Sequence, residues 1–241
     1  MNDELIRKHE GHVTHLTLNR PQKANALSAS SVEALLDAVE YACTDGTRLL
    51  ILDGAGDHFC AGFDFSGYLE QSEGDLALRF LRIETLLQQL YHAPFETLVF
   101  AHGKNFGAGA DLVASCGIRI AAPGTTFHMP GLRFGIVLGT RRLTYRIGAD
   151  KVREILSASR TIAADEALKI NFATYIAARA EWPALIAATR ANCDLLTPAA
   201  AAALHRRTVT DSRAEDMAEI ANSVCVPGLK ERIRWFRESD K

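Results

Sequence analysis

The chain reads as an α/β protein in which short strands and helices alternate through the first half and helices dominate the last third. Three observations carry that expectation. His12–Leu18 alternates apolar and polar residues with the period of two that marks a half-buried strand. Leu49–Leu52 is a short aliphatic run bounded by turn residues, as a strand buried on both faces would be. Beyond residue 140 the apolar spacing becomes helical.

Arg20-Pro21 ends the first strand. Ser30 to Glu33 has capping-box spacing ahead of Val32, Leu35, Leu36 and Val39, which predicts a helix. Leu76, Phe80, Ile83, Leu87 and Leu90 mark a second helix that ends before Pro94. Thr97–Phe100 reads as a strand, then a glycine-rich turn, then a small-residue helix over Ala108–Ser115. Ile118–Ala121 and Thr126–Met129 read as further short strands. Helices are expected over 142–147, 150–156, 164–168 and 182–204, with Pro198 opening a new one, and over Leu229–Phe236.

Composition narrows the function classes. With 27 Lys+Arg against 29 Asp+Glu, the formal charge of -2 offers no general field for nucleic acid. No apolar run approaches the ~18 residues of a membrane span. The start, Met1-Asn-Asp-Glu-Leu-Ile-Arg7, carries no basic-then-apolar pattern, so the expectation is a cytoplasmic protein without a secretory signal. Cys43, Cys60, Cys116, Cys193 and Cys225 are odd in number and lack a CxxC pair, which fits reduced thiols better than a zinc site or disulfide frame.

Two glycine turns could carry chemistry. Gly54-Ala-Gly-Asp-His-Phe-Cys-Ala-Gly-Phe-Asp64 follows one buried strand and Gly103-Lys-Asn-Phe-Gly-Ala-Gly-Ala-Asp111 follows another. Neither is a dinucleotide fingerprint or a phosphate loop. Backbone N–H groups without internal partners collect where a strand gives way to a helix. Two such turns at adjacent strand ends could aim one N–H each at the same carbonyl oxygen and stabilise negative charge there. Each turn alone is also explained by the need for a tight bend.

At these residues the sequence resembles the enoyl-CoA hydratase/isomerase (crotonase) superfamily. Leu18-Asn-Arg-Pro-Gln-Lys-Ala-Asn-Ala-Leu27 looks like its first-strand motif, Phe59–Asp64 like its first oxyanion loop, and Gly107–Leu112 like its second. Cys116–Ala122, Gly139–Leu143 and Gly228–Phe236 follow as later landmarks, in order. The resemblance implies a crotonase-type α/β spiral of ββα units over residues 1–180 that binds acyl-CoA. It also implies a helical oligomerisation region over 181–241, and assembly as a homotrimer or a dimer of trimers. A coenzyme A thioester would be substrate, and no metal or redox cofactor is implied; neither a nucleic acid nor a membrane is an expected partner.

Carried over by position, the two oxyanion donors are the backbone N–H groups of Phe63 and Ala108. Lys23, Ala24 and Ala61 fall where the family contacts coenzyme A, although Lys23 reads equally well as a solvated loop cation. Asp64 follows the first donor and is more often structural in that position. The two glutamates of a family hydratase align with Asp111, one methylene shorter, and with Gly131, which has no side chain to move a proton. Losing one acid/base group removes about 10²–10⁴-fold in rate, while each oxyanion donor is worth about 10²–10³. The expectation is therefore thioester binding and enolate stabilisation, with Asp111 as acid/base in a lyase or isomerase.

Asp111 is equally at home electrostatically in the first turn of a helix. His128 and Arg133 flank the vacant position, and the commoner explanation of each is a strand-edge or surface side chain. His58, Tyr68 and Glu70 are weaker candidates, and Arg141 and Arg142 read as surface charge near a helix start or as phosphate contacts. Because decarboxylation of a malonyl-type thioester, or hydrolysis, does not need the glutamate pair, such a reaction is the alternative. A non-catalytic acyl-CoA-binding protein is the alternative of another class.

Overall fold

The computed structural model describes residues 4–239. Its strands are β1 (Leu5–Glu10), β2 (Val13–Leu18), β3 (Leu49–Gly54), β4 (Glu96–Ala101), β5 (Lys104–Phe106), β6 (Ile118–Ala121), β7 (Thr126–His128), β8 (Ile162–Ala163) and β9 (Tyr175–Ile176). The helices are α1 (Ala29–Ala42), α2 (Glu73–Tyr91), α3 (Ala108–Ser115), α4 (Thr140–Ile147), α5 (Ala149–Ser157) and α6 (Ala164–Lys169), then α7 (Trp182–Cys193), α8 (Pro198–Thr208), α9 (Arg213–Cys225) and α10 (Leu229–Ser239). The main sheet runs β1-β2-β3-β4-β6-β9, and a small sheet, β5-β7-β8, accompanies it. All pairs of the main sheet are parallel except the β1–β2 hairpin.

Parallel strands need cover on both faces, and their sequences show it. Leu16, Leu18, Leu50, Leu52 and Val99 belong to the large core with the apolar stripes of α1, α2 and α3. Leu49, Ile51, Leu98, Phe100 and Ile120 face the other way, where α7 closes over them with Trp182, Leu185 and Ile186. The Trp182 ring stacks on Phe100 at 4.4 Å.

Most expected elements form where periodicity put them, and α3 spans the residues expected of it. Three differences have physical causes. Strand β1 was not expected because Leu5–Glu10 is exposed along nearly its whole length and shows no alternation; pairing with β2 holds it. Helix α1 is capped by Ser28 rather than Ser30, the Ser28 hydroxyl accepting from the Ser31 N–H at 3.0 Å. Glu33 is drawn to Arg82 instead of the helix start, and Ser28 and Ser30 both donate to Glu4. Helix α9 buries only Ile220, Ser223 and Val224, too thin a stripe to stand out in the sequence. Pro198 does open α8, with Thr197 as its cap. No residue of α8 is buried, whereas α9 and α10 return onto α2 and the 3-10 turn Gly131–Phe134.

Candidate active site

Strands β3 and β4 are parallel neighbours, so the two glycine turns leave the sheet at the same edge. The first turn is pinned by Leu27, whose N–H donates to Gly62 O at 2.7 Å and whose carbonyl accepts from the Asp64 N–H at 3.1 Å. In this parallel pattern Leu27 bonds to both chain neighbours of Phe63, which turns the Phe63 N–H to the opposite side. Gly62 has φ +79°, and a Cβ there would stand 2.3 Å from Phe106 O and 3.2 Å from Ala108 N. The two turns therefore touch, and only glycine permits it. Ala108 is the first residue of α3, where N–H groups lack intrahelical acceptors. Neither the Phe63 nor the Ala108 N–H has an acceptor among the described residues.

Both residues line a cavity of about 160 Å³, together with Ala61, Asp111, Gly131 and Gly139. Asp111 is the one ionisable side chain among its described lining residues; Thr140 supplies a hydroxyl and the rest is apolar. Burial pushes the Asp111 carboxyl up to about 8, while the Arg142 guanidinium pulls the other way and Glu84 adds to the rise. Among the described residues no side chain hydrogen-bonds to it. Gly139, with φ +67°, lies against it: a Cβ at 139 would meet the Asp111 Oδ1 at 2.2 Å. Gly139 also starts α4, so the free N–H end of that helix abuts the carboxyl.

Beneath Asp111 lies a charged cluster that sequence reasoning missed. Arg142, 1% exposed, donates to both oxygens of buried Glu84 at 2.8 and 2.5 Å and to Asp216 at 3.2 Å. It is neither surface charge nor a phosphate contact, and its partners come from α2 and α9. The available signal was Glu84 itself, four residues after Phe80 and beside Ile83 on the apolar stripe of α2, a place where a carboxylate needs a cation. Arg141 remains largely exposed and pairs with Asp216 at 3.0 Å.

The other expected residues divide clearly. Ala24 O accepts from the Ala61 N–H at 2.9 Å, which ties the first-strand motif to the cavity mouth. Lys23 ends an exposed 3-10 turn and does not line the cavity. Asp64 pairs with Arg20 at 2.9 Å and accepts from the Ser66 N–H at 2.9 Å. Burial opposes its charge, but these bonds outweigh it and hold the carboxyl below the usual range. Gly131 lines the cavity at the start of its 3-10 turn. His128 turns away to Ser159, 3.0 Å from both its carbonyl and its hydroxyl, and Arg133 lies over the Phe236 ring. None of His58, Tyr68, Glu70, His128 and Arg133 lines the cavity.

The sequence matches the enoyl-CoA hydratase/isomerase family over residues 8–224. A Mycobacterium leprae protein classed as an enoyl-CoA hydratase is 31% identical over 183 residues, 73% of this chain and 72% of its own. The short-chain-enoyl-CoA hydratase of Clostridium acetobutylicum is 30% identical over 182 residues, 71% of this chain and 67% of its own. The crystal structure of a Bordetella parapertussis protein classed as an enoyl-CoA hydratase/isomerase superposes with a TM-score of 0.96 at 48% identity, covering 97% of this chain and 98% of that one. The enoyl-CoA hydratase of Bacillus halodurans shares the fold at 18% identity, with a TM-score of 0.85 over 96% of this chain and 99% of its own. The α/β core with its helical C-terminal region is the crotonase fold, and the chain belongs to the enoyl-CoA hydratase/isomerase family.

Proposed function

We propose that the protein isomerises an enoyl-CoA thioester, moving one proton between carbons with Asp111 as the carrier. One observation carries this: Asp111 is the one ionisable side chain lining the cavity among the described residues, and Gly131, which the sequence resemblance aligns with a hydratase's second glutamate, lines it without a side chain that could move a proton. Adding water to a double bond calls for two groups that activate and position it, whereas a 1,3-shift calls for one group that takes a proton and gives it back. The thioester oxygen would accept from the Phe63 and Ala108 N–H groups, which are otherwise without acceptors. The Asp111 carboxylate would take a proton from C2 of a 3-enoyl thioester. That electron pair then forms the C2–C1 double bond, and the thioester π pair moves onto the oxygen as an enolate. Collapse of the enolate moves the double bond to C2–C3 as C4 takes the proton back from Asp111. The apolar lining would offer competing water few hydrogen-bond partners.

A second reading has its own support. A buried carboxyl raised to about 8 is a proton donor at neutral pH, which suits an enolate left by loss of CO2 from a malonyl-type thioester. The pH profile separates the two. Isomerisation needs the carboxylate, so kcat/KM rises about tenfold per unit below pH ~8 and then levels. Decarboxylation needs the acid, so its rate falls above that pH.

The test is a panel of 3-enoyl-CoA isomerisation, crotonyl-CoA hydration and malonyl-type decarboxylation with wild type and Asp111→Asn. The expected outcome is isomerisation above the other two and a loss of about 10²–10⁴-fold in the variant. Equal rates for wild type and variant overturn Asp111 as the carrier. Tight binding of acyl-CoA with no turnover on any substrate favours a binding protein instead.

A further inference from the structure

Six phenylalanines line the cavity, and five of them, Phe63, Phe65, Phe80, Phe134 and Phe236, are ring neighbours of one another. Their rings form a closed circuit. Phe63 stacks on Phe80 with centroids 4.3 Å apart and planes 14° apart. Phe80 approaches Phe134 at 6.5 Å, Phe134 approaches Phe236 at 4.7 Å, Phe236 approaches Phe65 at 6.5 Å, and Phe65 returns to Phe63 at 4.9 Å. Phe65 also meets Phe134 edge-on at 6.2 Å across the circuit. The Arg79 guanidinium lies over the Phe63 ring at 4.1 Å and donates to Asp64 O at 2.7 Å, which fixes the ring against the first glycine turn. Phe236 arrives on α10 and is 7% exposed, so the C-terminal helix contributes to the cavity wall.

From this wall we infer that the acyl group taken by the protein is compact and ends in a planar ring, an aryl-acyl thioester rather than a long straight chain. The inference rests on the reading of the cavity as an acyl-thioester site. Two physical points carry it. A dry apolar cavity of about 150 Å³ is known to accept benzene, and this one, at about 160 Å³, must hold the whole acyl part. Aromatic faces and edges also prefer ring partners at centroid distances of about 4.5–7 Å, and six of the cavity's lining side chains are aromatic. A long flexible chain would have to part rings that hold one another, and it would lose rotamer freedom on entry; a ring would lose little.

The test measures binding of saturated acyl-CoA esters, which cannot isomerise or hydrate, so that binding is read apart from turnover. Phenylacetyl-CoA, hexanoyl-CoA, dodecanoyl-CoA and free coenzyme A are titrated against the protein by calorimetry. Phenylacetyl-CoA is expected to bind several-fold tighter than hexanoyl-CoA and at least about tenfold tighter than dodecanoyl-CoA. In Phe236→Ala this part of the wall opens and the preference over dodecanoyl-CoA falls by about tenfold; Phe236→Leu, which keeps an apolar side chain, is the second variant should the first unfold. Dodecanoyl-CoA binding as tightly as phenylacetyl-CoA to the wild type overturns the inference and leaves the acyl-thioester reading standing. Esters that bind no tighter than free coenzyme A overturn both.

Discussion

Asp64 and Asp111 are the same residue type at the ends of two comparable glycine turns, and the fold gives them opposite fates. Asp64 meets Arg20 and the Ser66 N–H, stays charged, and ties the first-strand motif to the first turn. Among the described residues Asp111 pairs with no cation; Arg142, whose charge reaches it, is already engaged by Glu84 and Asp216. The one carboxyl is held low by partners and the other is driven up by burial without them. What separates a carboxyl held charged from one driven towards its neutral form is therefore whether a partner reaches it first. The carboxyl type and its place after a glycine turn are shared.

Breaking that comparison at Asp111 has the largest expected effect. Asp111→Asn should lower turnover by about 10²–10⁴-fold. It should also raise the thermal midpoint at pH 8, because the variant sheds a buried group that unfolds more readily once ionised. The folded value lies above the unfolded one, so wild-type stability is highest below the ordinary carboxylate range and falls as pH rises towards about 8. A variant no more stable than wild type at pH 8 would mean Asp111 is solvated after all.

Glu84→Ala strands the buried Arg142 with Asp216 alone and should destabilise by about 3–5 kcal/mol in urea unfolding. Gly139→Ala drives a Cβ into the Asp111 carboxyl from a left-handed backbone position. About 1–3 kcal/mol is expected to be lost, along with turnover, since the proposed proton carrier must move. Unchanged kinetics would show that Asp111 tolerates displacement.

The smallest effect belongs to the partnered acid. Asp64→Asn should cost about 1–2 kcal/mol and leave kcat within a few-fold. Its folded value is depressed, so its contribution is present above the ordinary carboxylate range and disappears as the pH falls through and below it. A large kcat loss without a stability change would move Asp64 into the site itself.

Much of this was legible in the residues. The buried runs of β3 and β4, the stripe of α2 and the small residues of α3 appear directly as periodicity. Each glycine turn is legible as a loop after a buried strand, and the pairing of those strands as parallel neighbours brings the two together. Strand β1 and helix α9 were invisible because an exposed edge and a thinly buried helix leave little apolar signal. Arg142 was misread as surface charge because its partners stand 58 and 74 positions away.

By itself the sequence determined the alternating core, the two turns, the family resemblance and the absence of a carboxyl at Gly131. Those properties are local or positional and need no knowledge of what lies opposite. Only the tertiary structure decided which aspartate is partnered, that Glu84 and Arg142 share a buried site, and that six phenylalanines line one cavity. Burial and pairing are properties of the groups that surround a side chain, and those groups come from segments far apart in the chain.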